Sequence, residues 1–178
     1  MPDRTGADVS NDLQGAAGGS HVGAQGGDGA FVILTLADQL CGVPVLAVRD
    51  VLAYQAIARI PLAPREVAGN LNLRGRIVTA IDLRERLRLP PRPAGAPFMS
   101  IVTEHGSELY ALLVDEVSEV LTLRHAAMEA NPPTLPRIWA EHSHGIYRLE
   151  QRLMVVLDVT RLLQLQPDNP DTAIAVAA

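Results

Sequence analysis

The sequence predicts a mainly β fold of two small barrels that share a hydrophobic seam, and three observations carry that expectation. The first is an internal repeat. Val48-Arg49-Asp50-Val51-Leu52 is answered 69 residues later by Val117-Ser118-Glu119-Val120-Leu121. Gly69, Leu71, Leu73, Arg76, Ile77 and Asp82 are answered 76 residues later by Gly145, Tyr147, Leu149, Arg152, Leu153 and Asp158. Two matched blocks with one change of offset read as two similarly folded halves, the second holding extra residues between its blocks. The second observation is a succession of short apolar runs, closely spaced and separated by turn residues, the pattern of small all-β barrels. The third is composition. Apolar residues make up 48% of the chain and aromatics only 3%, so the core is aliphatic. A half-size barrel buries little surface by itself, which gives two of them reason to pack together.

Taken in order, residues 1–29 hold eight of the 14 glycines and no aromatic, and are expected to form a disordered tail. Phe31-Val32-Ile33-Leu34-Thr35-Leu36, a turn at Asp38-Gln39, and Leu40-Cys41-Gly42-Val43 read as a hairpin. Pro44 has no amide proton and ends the pairing. Val45 to Asp50 is expected to make one or two helical turns, and Pro64-Arg65-Glu66-Val67 a short helix with proline in its first turn. Leu71-Asn72-Leu73 alternates, Gly75 permits a turn, and Ile77 to Ile81 returns as a strand. Asp82 stands where that strand gives way to a short helix, Leu83 to Leu87, and serves as its cap. Pro90, Pro91, Pro93 and Pro97 make a stiff connector. The second half repeats the plan. Ser100 to Thr103 and Leu109 to Val114 flank a turn at His105-Gly106-Ser107, and Pro132, Pro133 and Pro136 break the chain. Gly145 to Leu149 then pairs with Leu153 to Leu157, Asp158 caps, and Thr160 to Leu165 closes as a helix. Residues 166–178 are expected to form a flexible C-terminal tail.

The formal charge is −5, but Asp3, Asp8, Asp12 and Asp28 against Arg4, with Asp168 and Asp171, account for all of it. Residues 30–165 are therefore neutral and offer no basic field to nucleic acid. The single cysteine, Cys41, excludes an internal disulfide. No apolar run reaches the ~20 residues that span a bilayer, and the acidic, glycine-rich start is unlike a signal peptide. These features together predict a soluble, intracellular chain.

Few residues invite catalysis. Glu141-His142-Ser143-His144 is the one run that resembles a catalytic or metal-binding cluster, since His142 and His144 would share a face of a strand. With no third ligand nearby it reads instead as a solvated loop. Cys41, in an apolar strand, reads as core. No nucleophile elbow and no phosphate-binding glycine loop is present between residues 30 and 165. Asp82 and Asp158 occupy the same strand-to-helix position, so capping explains both. Trp139 and Tyr147 read either as an aromatic contact patch or as residues buried under the second barrel. Arg74, beside Gly75 at a hairpin turn, is either a solvated turn residue or a forked donor to a partner's carboxylates or carbonyls. No catalytic residue, metal ligand or cofactor is assigned.

Asn72-Leu73-Arg74-Gly75-Arg76-Ile77-Val78, followed by Ile81-Asp82-Leu83-Arg84, resembles the signature of the CheW family of chemotaxis coupling proteins. The match extends through Gly42-Val43, Val48, Asp50, Arg59-Ile60, Pro64 and Gly69. Val114-Asp115-Glu116-Val117-Ser118-Glu119-Val120-Leu121 resembles the family's second block, and Leu157-Asp158-Val159 with Leu162-Leu163 its ending. The resemblance implies a CheW-like domain over residues 30–165, made of two five-stranded SH3-like barrels with short helices. On this reading the first barrel covers about 43–97, and the second about 31–42 with 98–165. It implies a non-catalytic, cytoplasmic adaptor joining the regulatory domain of a CheA-type histidine kinase to the cytoplasmic helical hairpins of chemoreceptors. Such an adaptor is recruited to membrane arrays through its partners, with no direct membrane insertion and no nucleic acid.

Carried over by position, Val48, Asp50, Gly69 and Arg74 match the family's partner-contacting stretch, with Asp50 where a glutamate is common. The pairs Val48/Val51 and Val117/Val120 are the expected apolar floor of a groove that takes a helix, and Asn72 flanks Arg74 as a polar contact. A segment through which family members contact a second kinase falls on Glu129 to Leu135. There Glu129, Thr134 and Leu135 replace a basic and a large apolar or aromatic residue. Two alternatives stand beside this reading. One is an adaptor for a chemosensory-type pathway that does not control motility. The other, of a different class, is a small metal-dependent hydrolase using Glu141, His142 and His144.

Overall fold

The computed structural model describes residues 27–165, which form two five-stranded sheets. Of the tails expected at 1–29 and 166–178, residues 1–26 and 166–178 lie outside the described residues. Chain order is β1 (Asp28–Leu36), β2 (Gln39–Pro44), a 3-10 turn at Val45–Ala47, β3 (Val48–Leu52), β4 (Val67–Leu73), β5 (Arg76–Asp82) and α1 (Leu83–Arg86). It continues with β6 (Met99–His105), β7 (Glu108–Val114), β8 (Glu116–Arg124), a 3-10 turn at His125–Ala127, α2 (Arg137–Glu141), β9 (Ser143–Leu149), β10 (Arg152–Leu157) and α3 (Val159–Leu163).

One sheet has the order β3-β6-β7-β5-β4 and the other β8-β1-β2-β10-β9. The two orders correspond strand for strand, which is the internal repeat expressed as topology. The expected barrel boundaries need correction. β6 and β7 belong to the first barrel, because β7 lies parallel to β5, from Thr79↔Tyr110 to Asp82↔Leu113. A parallel pair needs a crossover: α1 and the proline segment carry the chain past the end of β7 to β6, and β6 runs it back. The prolines therefore lie within the first barrel and do not separate the two. The first barrel is a continuous stretch from β3 to β7. The second joins β8, β9 and β10 to the N-terminal hairpin, through the parallel pairing of β10 with β2.

Three local expectations are also revised. Asp28 and Gly29 belong to β1, paired with Arg124 and Leu123, so the first strand starts before Phe31. Only Val45–Ala47 is helical, and Val48 onward is strand. Pro64 to Val67 is a turn closed by the Val67 amide on the Pro64 carbonyl at 2.9 Å. The two capping aspartates are as expected: Asp82 accepts from the Arg84 amide at 2.9 Å and Asp158 from the Arg161 amide at 3.0 Å.

Strands at the centre of each sheet are buried on both faces, so their apolar residues feed separate cores. Phe31, Ile33, Tyr147, Met154 and Val156 fill the second barrel. Leu71, Val78, Ala80, Ala111 and Leu113 fill the first. The opposite faces of both sheets meet in a third and largest core, where Leu34, Cys41, Val43 and Val155 pack with Ile81, Ile101, Leu112 and residues of all three helices. This third core is the seam. Trp139 and Tyr147 are both buried, which excludes the aromatic contact patch.

Candidate functional site

Two β-bulges shape the strands that carry the expected apolar floor residues. On β3 the register shifts between Val48 and Asp50, and on β8 it shifts opposite Val32 to Leu34. A bulge turns the strand and resets which residues face inward. Val48 and Val117 consequently pack against the seam core, half-buried, in equivalent places of the two barrels. Val51 and Val120, one bulge further along, are 37% and 58% exposed. The expected floor therefore divides: Val48 and Val117 lie at the seam, whereas Val51 and Val120 stand on the surface beyond it.

Arg74 and Asp50 come together. Arg74 sits at the β4–β5 turn with φ of 52°, and Asn72 holds that turn by accepting the Gly75 amide at 2.8 Å. The Arg74 side chain is 84% exposed, and its guanidinium lies 3.5 Å from the Asp50 carboxylate. This ion pair links the two outer strands of the first sheet. The second barrel has the same frame with different charges. Glu150, at φ of 34°, takes the place of Arg74, and Glu119 that of Asp50. An open cavity of about 840 Å³ lies there, lined by Leu40, Glu119, Leu121, Leu149, Glu150 and Arg152 among others. The exposed pair Val51/Ile77 likewise recurs as Val120/Leu153.

Gly69 has a different role from the one expected of it. It is buried at φ of 143°, and a Cβ there would fall on the Ala58 carbonyl oxygen. The segment after β3 crosses β4 at this point, with paired hydrogen bonds of 2.8 Å between Ala58 and Asn70. Gly145 meets the same crossing in the second barrel, under the Glu129 carbonyl, with Glu129 and Ile146 exchanging bonds of 2.8 and 2.9 Å. Both glycines permit a close backbone approach. Gly69 thus shapes the site without presenting a surface of its own.

The Glu129 to Leu135 segment is tied down in turn. The Glu129 carboxylate is 2.9 Å from Arg148, and Leu135 packs partly buried against the seam core, leaving Thr134 exposed. The histidine run is not a solvated loop. His142 is buried, its Nδ1 is 2.7 Å from the Ile138 carbonyl, and His144 lies 3.5 Å from the helix-capping Asp158. Among the described residues no three His, Cys, Asp or Glu side chains are grouped to hold a metal. Cys41 is fully buried, and burial pushes its thiol pKa far up, away from a nucleophilic thiolate.

A polar clasp that was not expected from the sequence crosses the seam. Asp115 is the single residue between β7 of the first barrel and β8 of the second. Its carboxylate accepts from the Ala37 amide at 2.7 Å and from Arg84 at 2.7–3.2 Å, and lies 3.1 Å from Arg92. Burial pulls the Asp115 pKa up, but the Arg84 hydrogen bonds, the Ala37 amide and the Arg92 charge outweigh it and hold it below the ordinary value. Nearby, Arg86 donates to the Leu162 and Gln164 carbonyls at 3.0 and 2.7 Å, tying α1 to the end of α3. Arg84 stood within the family-like block and Arg86 just past it, but only the fold brings their acceptors to them.

Comparison with known proteins agrees with this architecture. The family model described as a CheW-like domain matches residues 30–166. The chain belongs to the CheW family. Among CheW relatives, the chemotaxis protein CheW of Klebsiella aerogenes is 30% identical over 133 residues, covering 75% of this chain and 80% of the relative. The chemotaxis protein CheW of Treponema pallidum is 28% identical over 137 residues, covering 74% and 80%. The crystal structure of the scaffolding protein TtCheW from Thermoanaerobacter tengcongensis superposes with a TM-score of 0.70 at 27% identity, over 78% of this chain and 94% of that one. No helix among the described residues is long and apolar enough to cross a membrane.

Proposed function

We propose that this CheW-family chain is a non-catalytic chemotaxis adaptor that holds a CheA-type histidine kinase, through its regulatory domain, to the cytoplasmic helical hairpin of a chemoreceptor. The observation that carries this reading is that Val48 and Val117 pack half-buried against the seam core at equivalent places of the two barrels, with Asp50, two residues along β3 from Val48, paired to the exposed Arg74. An amphipathic helix needs an apolar floor and a few orienting polar groups, and this surface offers both. Arg74 is suited to the orienting role. Its fork presents several donors, and an exposed ion pair worth roughly 0–1 kcal/mol opens at little cost.

Co-purification with the kinase and receptor encoded in the same genome tests the reading directly. The full chain is expected to recover both, and recovery of neither would overturn it. Arg74→Ala is expected to weaken receptor-hairpin binding about tenfold, a change of about 1.4 kcal/mol. The variant's melting temperature should stay within about 2 °C of the parent's, because the pair it removes is exposed. A large drop in melting temperature would instead assign Arg74 a structural role.

A further inference from the structure

We propose that the Asp115 carboxylate fixes the angle between the two barrels and so positions Val48 and Val117 for the receptor hairpin. The first part stands on geometry alone, and the second rests on the adaptor reading above. Asp115 is where the chain passes from one barrel to the other, with no further residue to absorb a change of direction. Its own amide is also held, donating to the Thr35 carbonyl at 3.1 Å. Its carboxylate gathers groups from both sides: the Ala37 amide at the β1–β2 turn of the second barrel, and Arg84 and Arg92 of the first.

These partners are themselves restrained. Arg84 also donates to the Pro90 carbonyl at 2.8 Å, and Arg92 lies 3.8 Å from Asp82 and 5.3 Å from the Phe98 ring centroid. Arg84 and Arg92 side chains are only 13% and 12% exposed, so solvent screens the contacts weakly. Two residues beyond Asp115 comes Val117, whose amide is 3.2 Å from the Met99 sulfur of the first barrel. A small rotation about Asp115 would therefore move Val117 relative to Val48. The apolar contacts of the seam are non-directional. A carboxylate shared by two guanidinium groups and an amide permits far fewer arrangements.

The test measures inter-barrel distance and receptor affinity separately, in the full chain. Spin labels at His105→Cys on β6 and Arg152→Cys on β10 place one probe on each barrel, and buried Cys41 stays unlabelled. Pulsed electron paramagnetic resonance is expected to give one narrow distance for the parent. Asp115→Asn should shift or clearly broaden it and lower receptor-hairpin affinity about tenfold, or about 1.4 kcal/mol. Arg92→Ala, which leaves the Arg84 fork in place, should do the same to a smaller degree and guards against a variant that fails to fold. Unchanged distances in both variants, with only a lower melting temperature, would reduce Asp115 to a stabilising residue. A changed distance with parental receptor affinity would overturn the link to the groove. A parent chain that binds no receptor hairpin would remove the adaptor reading and the groove link together, while the distances would still decide whether Asp115 sets the angle.

Discussion

Gly69 and Gly145 are held at the same point of the two barrels by the same constraint, a carbonyl lying where a side chain would begin. Replacing Gly145 with alanine is expected to cost about 2–3 kcal/mol, because the neighbour that must yield is backbone. Urea titration would measure it, and a near-parental midpoint would mean the crossing strand moves freely. The charged positions behave differently. Glu150→Arg restores, in the second barrel, the arrangement of Arg74 with Asp50, so it is expected to pair with Glu119 and raise stability by about 0.5 kcal/mol. A double-mutant cycle with Glu119→Ala checks the pairing. Repeat glycines were visible in the sequence as matched letters. Their reason was not, because the segments that cross them, at Ala58 and Glu129, carry no signal of their own.

At the scale of elements, α1 does more than end β5. It is four residues long, too short to be stable by itself. Asp82 caps its start, Arg84 reaches the Asp115 crossing, and Arg86 reaches the end of α3. Removing the last of these with Arg86→Ala leaves the part-buried Leu162 carbonyl and the exposed Gln164 carbonyl without their donor and is expected to cost about 1 kcal/mol. The Asp115 contacts add a dependence on pH. A carboxyl whose pKa is held down in the folded state contributes its full stabilisation above the ordinary aspartate range, about 3.9. That contribution is lost as pH falls through the lower folded value. Asp115→Asn is therefore expected to be less stable at neutral pH and to lose less on further acidification than its parent, as thermal melts across an acid series would show. Equal acid slopes for the two chains would contradict it. The cap residues were legible from sequence because their acceptors are local. Arg84 and Arg86 were not, since Asp115 is 31 residues from the first and the carbonyls of Arg161, Leu162 and Gln164 are 75 or more from the second.

At the scale of the molecule, two barrels of one plan share a third core larger than either of their own. Ile81, Ile101 and Leu112 face that seam, so a fragment holding β3 to β7 alone would expose them. Although the first barrel is continuous in the chain, residues 48–114 alone are expected to lack cooperative unfolding and to bind a dye for exposed apolar surface. A sharp calorimetric transition for that fragment would show that the seam is dispensable. The second barrel closes only by recruiting the N-terminal hairpin, which makes the two barrels interdependent from the first strand onward.

By itself the sequence determined the mainly β class, the duplication, the helix caps and the family, because each is written in local pattern or in matched blocks. It did not determine which hairpin completes which barrel. Both hairpins are apolar on both faces, and nothing in their residues distinguishes a neighbour in β5 from one in β10. Only the tertiary structure decided that, through parallel pairings that require a crossover. It also decided that Val48 and Val117 meet the seam while Val51 and Val120 stay exposed, because a bulge changes which face a residue takes and leaves little mark in the sequence. Finally, it brought Asp115 to Arg84 and Arg92 through the parallel register of β5 with β7, and to the Ala37 amide through the way the two barrels rest against each other.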